Sequence, residues 1–254
     1  RRKRGFALPA STSPWMPEER ILFSCDFFGS HLATSALYVA DRARTEEAAK
    51  RYYAEIMMPF RTQIQKHLTR LDELDIRLIA PSHGPIHETP LWIVDCYKDW
   101  VLGKPKNQVV IPYISMHGST KKMVDFLAGE LVELGIDVQI FDLAATDVGK
   151  LAMALVEAST IIIGTPTVHG GPHPNVFYAT HLANALRPKL KFVGIVGSYA
   201  WGTKAVERLA ELIPNLQVKV LDPVIIKGTP KPDDALALRL LAQKVAEEHR
   251  NAGL

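Results

Sequence analysis

Five short apolar runs rich in β-branched residues recur through residues 105–254, each followed by a stretch of helical periodicity. They read QVVIPYIS, DVQIFDL, STIIIGTP, LKFVGIVGS and QVKVLDPVII. A strand that is apolar along its length has no face to give to solvent, so it belongs in a parallel sheet covered on both sides. Parallel neighbours need long crossover connections, and the helical stretches supply them. Five such units in about 150 residues predict a doubly wound α/β domain with a five-stranded parallel sheet. Pro112 falls inside the first run and removes a ladder N–H, so a local irregularity is expected there.

Residues 1–104 are organised differently. RILFSCDFFGSH reads as a buried strand opening into a loop, and IRLIAPSHGPIH as a second. Between them, residues 45–72 are helical with a break expected at Pro59. Two strands are too few for an independent sheet of ordinary size, so this part reads as the tail of a larger domain. GKPKNQ, residues 103–108, reads as the linker, which gives domains of 1–104 and 105–254.

The 254 residues are 47% apolar, enough to fill two modest cores. Thirty basic against 27 acidic residues leave a net charge of +3, too small to imply a nucleic-acid partner. Part of the excess is the opening RRKR, which reads as a solvated end. Cys25 and Cys96 are the only cysteines, which excludes a disulfide scaffold and fits a reducing, cytoplasmic setting. No apolar run approaches the ~20 residues that span a bilayer, and no apolar core follows the arginines as in a signal peptide. The first residue is Arg1, so the chain reads as trimmed, processed or part of a longer protein.

The first strand hands over to its helix through SMHGST, residues 115–120. In an open α/β sheet ligands bind beyond the carboxyl ends of the strands, where a helix start offers unpaired N–H groups to an anion. Gly118 allows close backbone approach, and Ser115, Ser119 and Thr120 carry hydroxyls. Neither a Walker A loop nor a GxGxxG fingerprint is present. On this turn alone, phosphate binding and simple helix capping by Ser119 or Thr120 both stand. Two later loops add weight to the first. TPTVHGGPHP follows the third strand with Pro166, Thr167, Val168, His169 and Gly170. GSYAWG follows the fourth with Ser198, Tyr199, Ala200, Trp201 and Gly202. Glycines permit close approach and aromatics offer flat faces, so the three loops together fit a mononucleotide with a large planar base.

These motifs resemble the flavodoxin-like domain of the A-type flavoproteins, also called flavodiiron proteins. SMHGST is similar to the flavodoxin phosphate loop, (T/S)x(T/S)Gx(T/S), with His117 at a usual hydroxyl position. The other two loops look like the segments that contact the isoalloxazine ring. The resemblance implies FMN as cofactor and relay of electrons as the activity. His117 and His169 are then loop residues near the cofactor, with either surface polarity or proton transfer as their role.

Upstream, ILFSCDFFGSH and IAPSHGPIH look like the last portion of that family's metallo-β-lactamase-like (αββα) domain. The resemblance implies that Asp26 and His83 are iron ligands of a diiron site that reduces dioxygen or nitric oxide. The family's first ligand cluster, HxExDH, is absent from these residues, and a further histidine expected about 19 residues before Asp26 falls on Ala7. The site is therefore either completed by an N-terminal segment or partner subunit, or degenerate. Without it, Asp26 caps a turn, His83 satisfies loop carbonyls, and the chain is a flavodoxin-like electron carrier or an interaction module. A receiver domain would need an acidic pocket where Tyr113, Ile114 and Ser115 stand, and a β-lactamase-fold hydrolase would need the absent HxHxDH cluster. The resemblance further implies a head-to-tail homodimer and a redox donor: a rubredoxin, a reduced deazaflavin or another flavoprotein.

Overall fold

A computed structural model describes residues 6–8, 11–13 and 15–254. The basic opening RRKR lies outside the described residues. The chain divides into two compact units, Arg1–Gly103 and Lys104–Leu254.

In the first unit, β1 (Phe6–Leu8) and β2 (Ser11–Ser13) form an antiparallel ribbon that pairs Ala7 with Thr12. The two strands expected from sequence are β4 (Ile21–Cys25) and β5 (Leu78–Pro81), which lie parallel. A short β3 (Trp15–Met16), unexpected from sequence, adds antiparallel to β4. The helical stretch begins earlier than expected, as α1 (Arg42–Tyr52), because the Asp41 carboxylate accepts from Arg44 N–H at 3.1 Å and caps it. Pro59 does not break the chain's helical course. A π turn over Tyr53–Met57 and a 3-10 turn over Met58–Phe60 carry it past the missing N–H into α2 (Arg61–Leu71). The unit closes with α3 (Leu91–Leu102), whose Tyr97 and Trp100 pack with Phe27, Phe28 and Tyr53 in a buried aromatic cluster.

The second unit alternates as its sequence predicts. Its elements are β6 (Lys106–Tyr113), α4 (Ser119–Glu133), β7 (Asp137–Asp142), α5 (Val148–Leu155) and β8 (Ala158–Val168). There follow β9 (Gly171–Pro172), α6 (Pro174–Leu186), β10 (Phe192–Tyr199) and α7 (Ala205–Glu211). Last come β11 (Lys219–Val220), β12 (Val224–Lys227) and α8 (Asp234–Asn251). The parallel sheet runs β7, β6, β8, β10, then β11 and β12. The fifth predicted strand is thus split: both halves pair with β10, and Pro223 stands in the gap. Residues 106–108, expected in the linker, already belong to β6, where Lys106 N–H bonds to Glu157 O at 2.7 Å. The irregularity expected at Pro112 is not there, since its ladder with β7 runs unshifted; the register slip against β8 lies between Lys106 and Val109.

Successive residues of β6 face opposite layers. Val109 and Ile111 pack with Leu127 and Leu131 of α4 and Val245 of α8, while Val110 packs with Leu151 and Leu155 of α5 and Val176 of α6. Both faces of the sheet are therefore dry at its central strands β6, β8 and β10, which is what a continuously apolar strand requires.

The end of α8 is fastened to the strand starts by a buried imidazole. His249 is 1% exposed, with Nδ1 at 2.7 Å from Asn107 Oδ1 and Nε2 at 2.6 Å from Thr160 Oγ1. An amide oxygen only accepts, so Nδ1 carries the proton and Nε2 accepts from the threonine. Burial lowers the His249 pKa to about 4. The unfolded chain therefore binds a proton that the fold refuses. The stability this contributes is complete above pH ~6.5 and is lost as pH falls toward 4, by at most about 3 kcal/mol. Urea midpoints should fall across that window, and His249→Gln, which cannot titrate, should flatten the slope; equal slopes in both proteins would refute this assignment.

Candidate functional site

The sheet order puts β6 beside β8, with β7 to one side and β10 to the other. The crossovers leaving β6 and β8 diverge there, and such a switch point is where open α/β sheets bind ligands. The sheet is drawn tight beneath that point. A Cβ on Gly164 would sit 2.6 Å from Tyr113 Cβ and 3.1 Å from Val124 Cγ2, so only glycine lets α4 rest this close.

After β6, Ile114 is buried and Ser115 begins the turn. The Ser115 hydroxyl is buried with no hydrogen-bond partner among the described residues. Met116 and His117 are exposed. Gly118 has φ +83°, and a Cβ there would meet nothing within 4 Å, so the turn's flank is open. α4 starts with Gly118 as its cap residue and no side-chain capping bond. The capping alternative for Ser119 and Thr120 therefore fails: Ser119 Oγ lies 3.3 Å from Thr229 Oγ1, and the buried Thr120 Oγ1 lies 3.4 Å from Ser198 Oγ. An uncapped helix start, an orphaned hydroxyl and an open flank together can receive an anion.

The other predicted residues gather at the same edge through strand register. Pro166 stands opposite Ser198 and Tyr199 opposite Lys227. β8 runs through Thr167 and Val168, then turns back at His169 (φ +49°) and Gly170 (φ +75°) into β9. Two consecutive positive φ values make this a type I′ hairpin. Beyond β10, Ala200 and Gly202 flank Trp201, which is 95% exposed. Sequence reasoning did not single out Thr203, which receives the Thr167 hydroxyl at 2.8 Å, or Thr229. GTP after the fifth strand was the available signal for Thr229, because that loop also ends at this edge.

In the first unit Asp26 and His83 meet, with Nε2 at 3.4 Å from Oδ1 and both side chains about half exposed. One bond joins the loops that carry them, from Ser30 N–H to His83 O at 3.0 Å, and a turn from Gly29 N–H to Asp26 O at 3.1 Å closes the first loop. Tyr52 is pushed up to about 12 by burial and by the Asp26 carboxylate, to which it hydrogen-bonds. His31 stands edge-on to Tyr52 with ring centroids 4.6 Å apart, and His87 is buried with Nε2 on Phe28 O at 3.0 Å. Among the described residues no group of three or more histidine, cysteine or acidic side chains is placed to hold one metal ion. Both cysteines are free. No helix of the described residues is long and apolar enough to cross a membrane.

Fold and sequence comparisons define a chain that joins β-lactamase-like residues to a doubly wound domain of flavodoxin type. Residues 8–84 match the ODP family beta lactamase. Over 245 residues the chain is 32% identical to a nitric oxide reductase of Moorella thermoacetica, covering 94% of this chain and 61% of that protein. Over 247 residues it is 30% identical to a rubredoxin-oxygen oxidoreductase of Megalodesulfovibrio gigas, again covering 94% and 61%. The solved rubredoxin oxygen:oxidoreductase from Desulfovibrio gigas superposes with a TM-score of 0.90 at 29% identity, over 96% of this chain and 63% of that one. These likenesses relate the chain to the A-type flavoproteins, also called flavodiiron proteins. It spans about three fifths of the length of the curated relatives it matches.

The open flank at Gly118 makes one cost predictable. Gly118→Ala meets no steric obstacle but must hold an L-residue at positive φ, costing about 1–2 kcal/mol. Thermal or urea denaturation should show that loss, and an unchanged midpoint would mean that the turn relaxes.

Proposed function

We propose that residues 105–254 bind FMN and that the chain serves as an electron-transferring oxidoreductase. The observation that carries this reading is the buried, unpartnered Ser115 hydroxyl beside an uncapped helix start. Bound FMN supplies one- and two-electron redox chemistry. Ser115, Ser119, Thr120 and the first N–H groups of α4 hold its phosphate, with Gly118 leaving room and His117 at the rim. Pro166, Thr167, Val168, His169 and Gly170 form one wall beside the ring. Ser198, Tyr199, Ala200, Trp201 and Gly202 form the other, and the exposed Trp201 indole is free to stack.

The acceptor, by the chemistry of the relatives, is dioxygen or nitric oxide at a diiron site. Asp26 and His83 are the donors this chain offers, and carboxylate and imidazole suit iron. Two donors do not make a binuclear site, so the described residues do not fit the pair of irons by themselves. Ligands from outside this chain would complete it. The same shortage, together with Ala7 at the expected histidine position, favours a second reading: a flavodoxin-like electron carrier whose front segment is metal-free. The name of one relative points to rubredoxin as donor. A head-to-tail homodimer and a cytoplasmic location complete the proposal.

Purified protein should be yellow and release about one FMN per chain on denaturation; colourless protein that ignores added FMN would sink the reading. Ser115→Ala should weaken FMN roughly 10- to 100-fold, the worth of a hydrogen bond to a charged group, and leave riboflavin affinity unchanged. Metal analysis separates the two readings: near-stoichiometric iron supports the oxidase, and its absence from metal-replete preparations supports the carrier.

A further inference from the structure

The two loops on the ring side of the site are fastened to each other through residues that neither strand nor helix periodicity reveals. Thr203 Oγ1 accepts the Thr167 hydroxyl at 2.8 Å and the Ala205 N–H at 3.0 Å. One residue on, Lys204 N–H donates to Gly170 O at 2.7 Å, at the hairpin tip. A turn into α7, Arg208 lies across Gly171, where a Cβ would sit 2.6 Å from its Nη1 and 3.1 Å from its Cδ. The contacts are complementary in kind. A type I′ turn leaves its tip carbonyl outside the ladder, and Lys204 claims it. Gly171 gives up a side chain, and the guanidinium fills the space.

We propose that Thr203 is a positioning residue that clamps the hairpin Thr167–Pro172 to the start of α7, so that both ring-side loops form one prefixed wall. The inference rests on the FMN reading of the site for its ligand, and on the geometry alone for the clamp. A wall fixed before binding spares the ordering cost that a loose pair of loops would charge to affinity. The phosphate end, held by the start of α4, lies outside the clamp. Thr203 should therefore affect recognition of the ring and not of the phosphate.

The test compares Thr203→Val, which keeps the shape and removes the acceptor, with Thr203→Ser, which keeps the hydroxyl. Valine removes both bonds and should weaken FMN and riboflavin by the same factor, roughly 2- to 13-fold per neutral hydrogen bond lost, and serine should restore both. In the flavin-free protein, amide exchange at Lys204 and across 167–171 should quicken in the valine variant, while the first turn of α4 keeps its wild-type rate. A loss confined to FMN, a loss that serine does not rescue, or unchanged exchange at Lys204 would overturn the clamp. Wild-type protein that takes up neither flavin would overturn the FMN reading alone, and the exchange comparison would still decide the clamp.

Discussion

The first turn of α4 presents backbone N–H groups that no side chain caps, at the one place in the sheet where the crossovers part. Everything around it reinforces that opening. Gly164 lets the helix sit hard against β6 and β8, so the turn cannot sink inward. Ser119 and Thr120, the residues suited to cap it, lie against Thr229 and Ser198 instead of turning back onto the helix start. Ser115 adds a buried hydroxyl with nothing to bond. Buried polar groups left this way cost about 1–3 kcal/mol each, and an anion would recover it. The same turn that looks like a helix cap in sequence is thus an incomplete hydrogen-bond arrangement in the fold.

Opposite this open pole the two later loops are tied to each other. The I′ hairpin, the Thr167–Thr203 bond and the Lys204 amide on Gly170 O leave few soft torsions between the two loops. Such a division suits a cofactor that must be held tightly yet exchange electrons at an exposed edge. The front unit is different in character. Asp26, His31, Tyr52 and His83 converge, but their donors are too few for a pair of metal ions. The Ser30 N–H on His83 O holds the two loops that carry Asp26 and His83 together.

Much of this was legible from residue pattern. Continuous β-branched runs forced a parallel sheet, and parallel strands forced all loops after their carboxyl ends to one edge. The structure then sets Pro166 opposite Ser198 at that edge. Local backbone chemistry was less legible. Pro112 is tolerated without a slip, and the fifth strand divides around Pro223, because sheet pairing overrode single-residue preference in one case and yielded in the other. The 3-10 turn at Pro59 shows the same tolerance. Thr203 was invisible because its importance lies in a partner 36 residues away, a distance no periodicity encodes; Thr229, 110 residues from Ser119, was signalled only by the loop that ends its strand.

The most direct measurement is phosphorus NMR of FMN added to the flavin-free protein while pH is varied. A free phosphate monoester takes up its second proton near pH ~6. Held by the start of α4 and the Ser115 hydroxyl, the phosphate should keep its dianion, and its resonance should stay at one position from about pH 5 to 8. A resonance that titrates like free FMN over that range would contradict the phosphate pole on which this account depends.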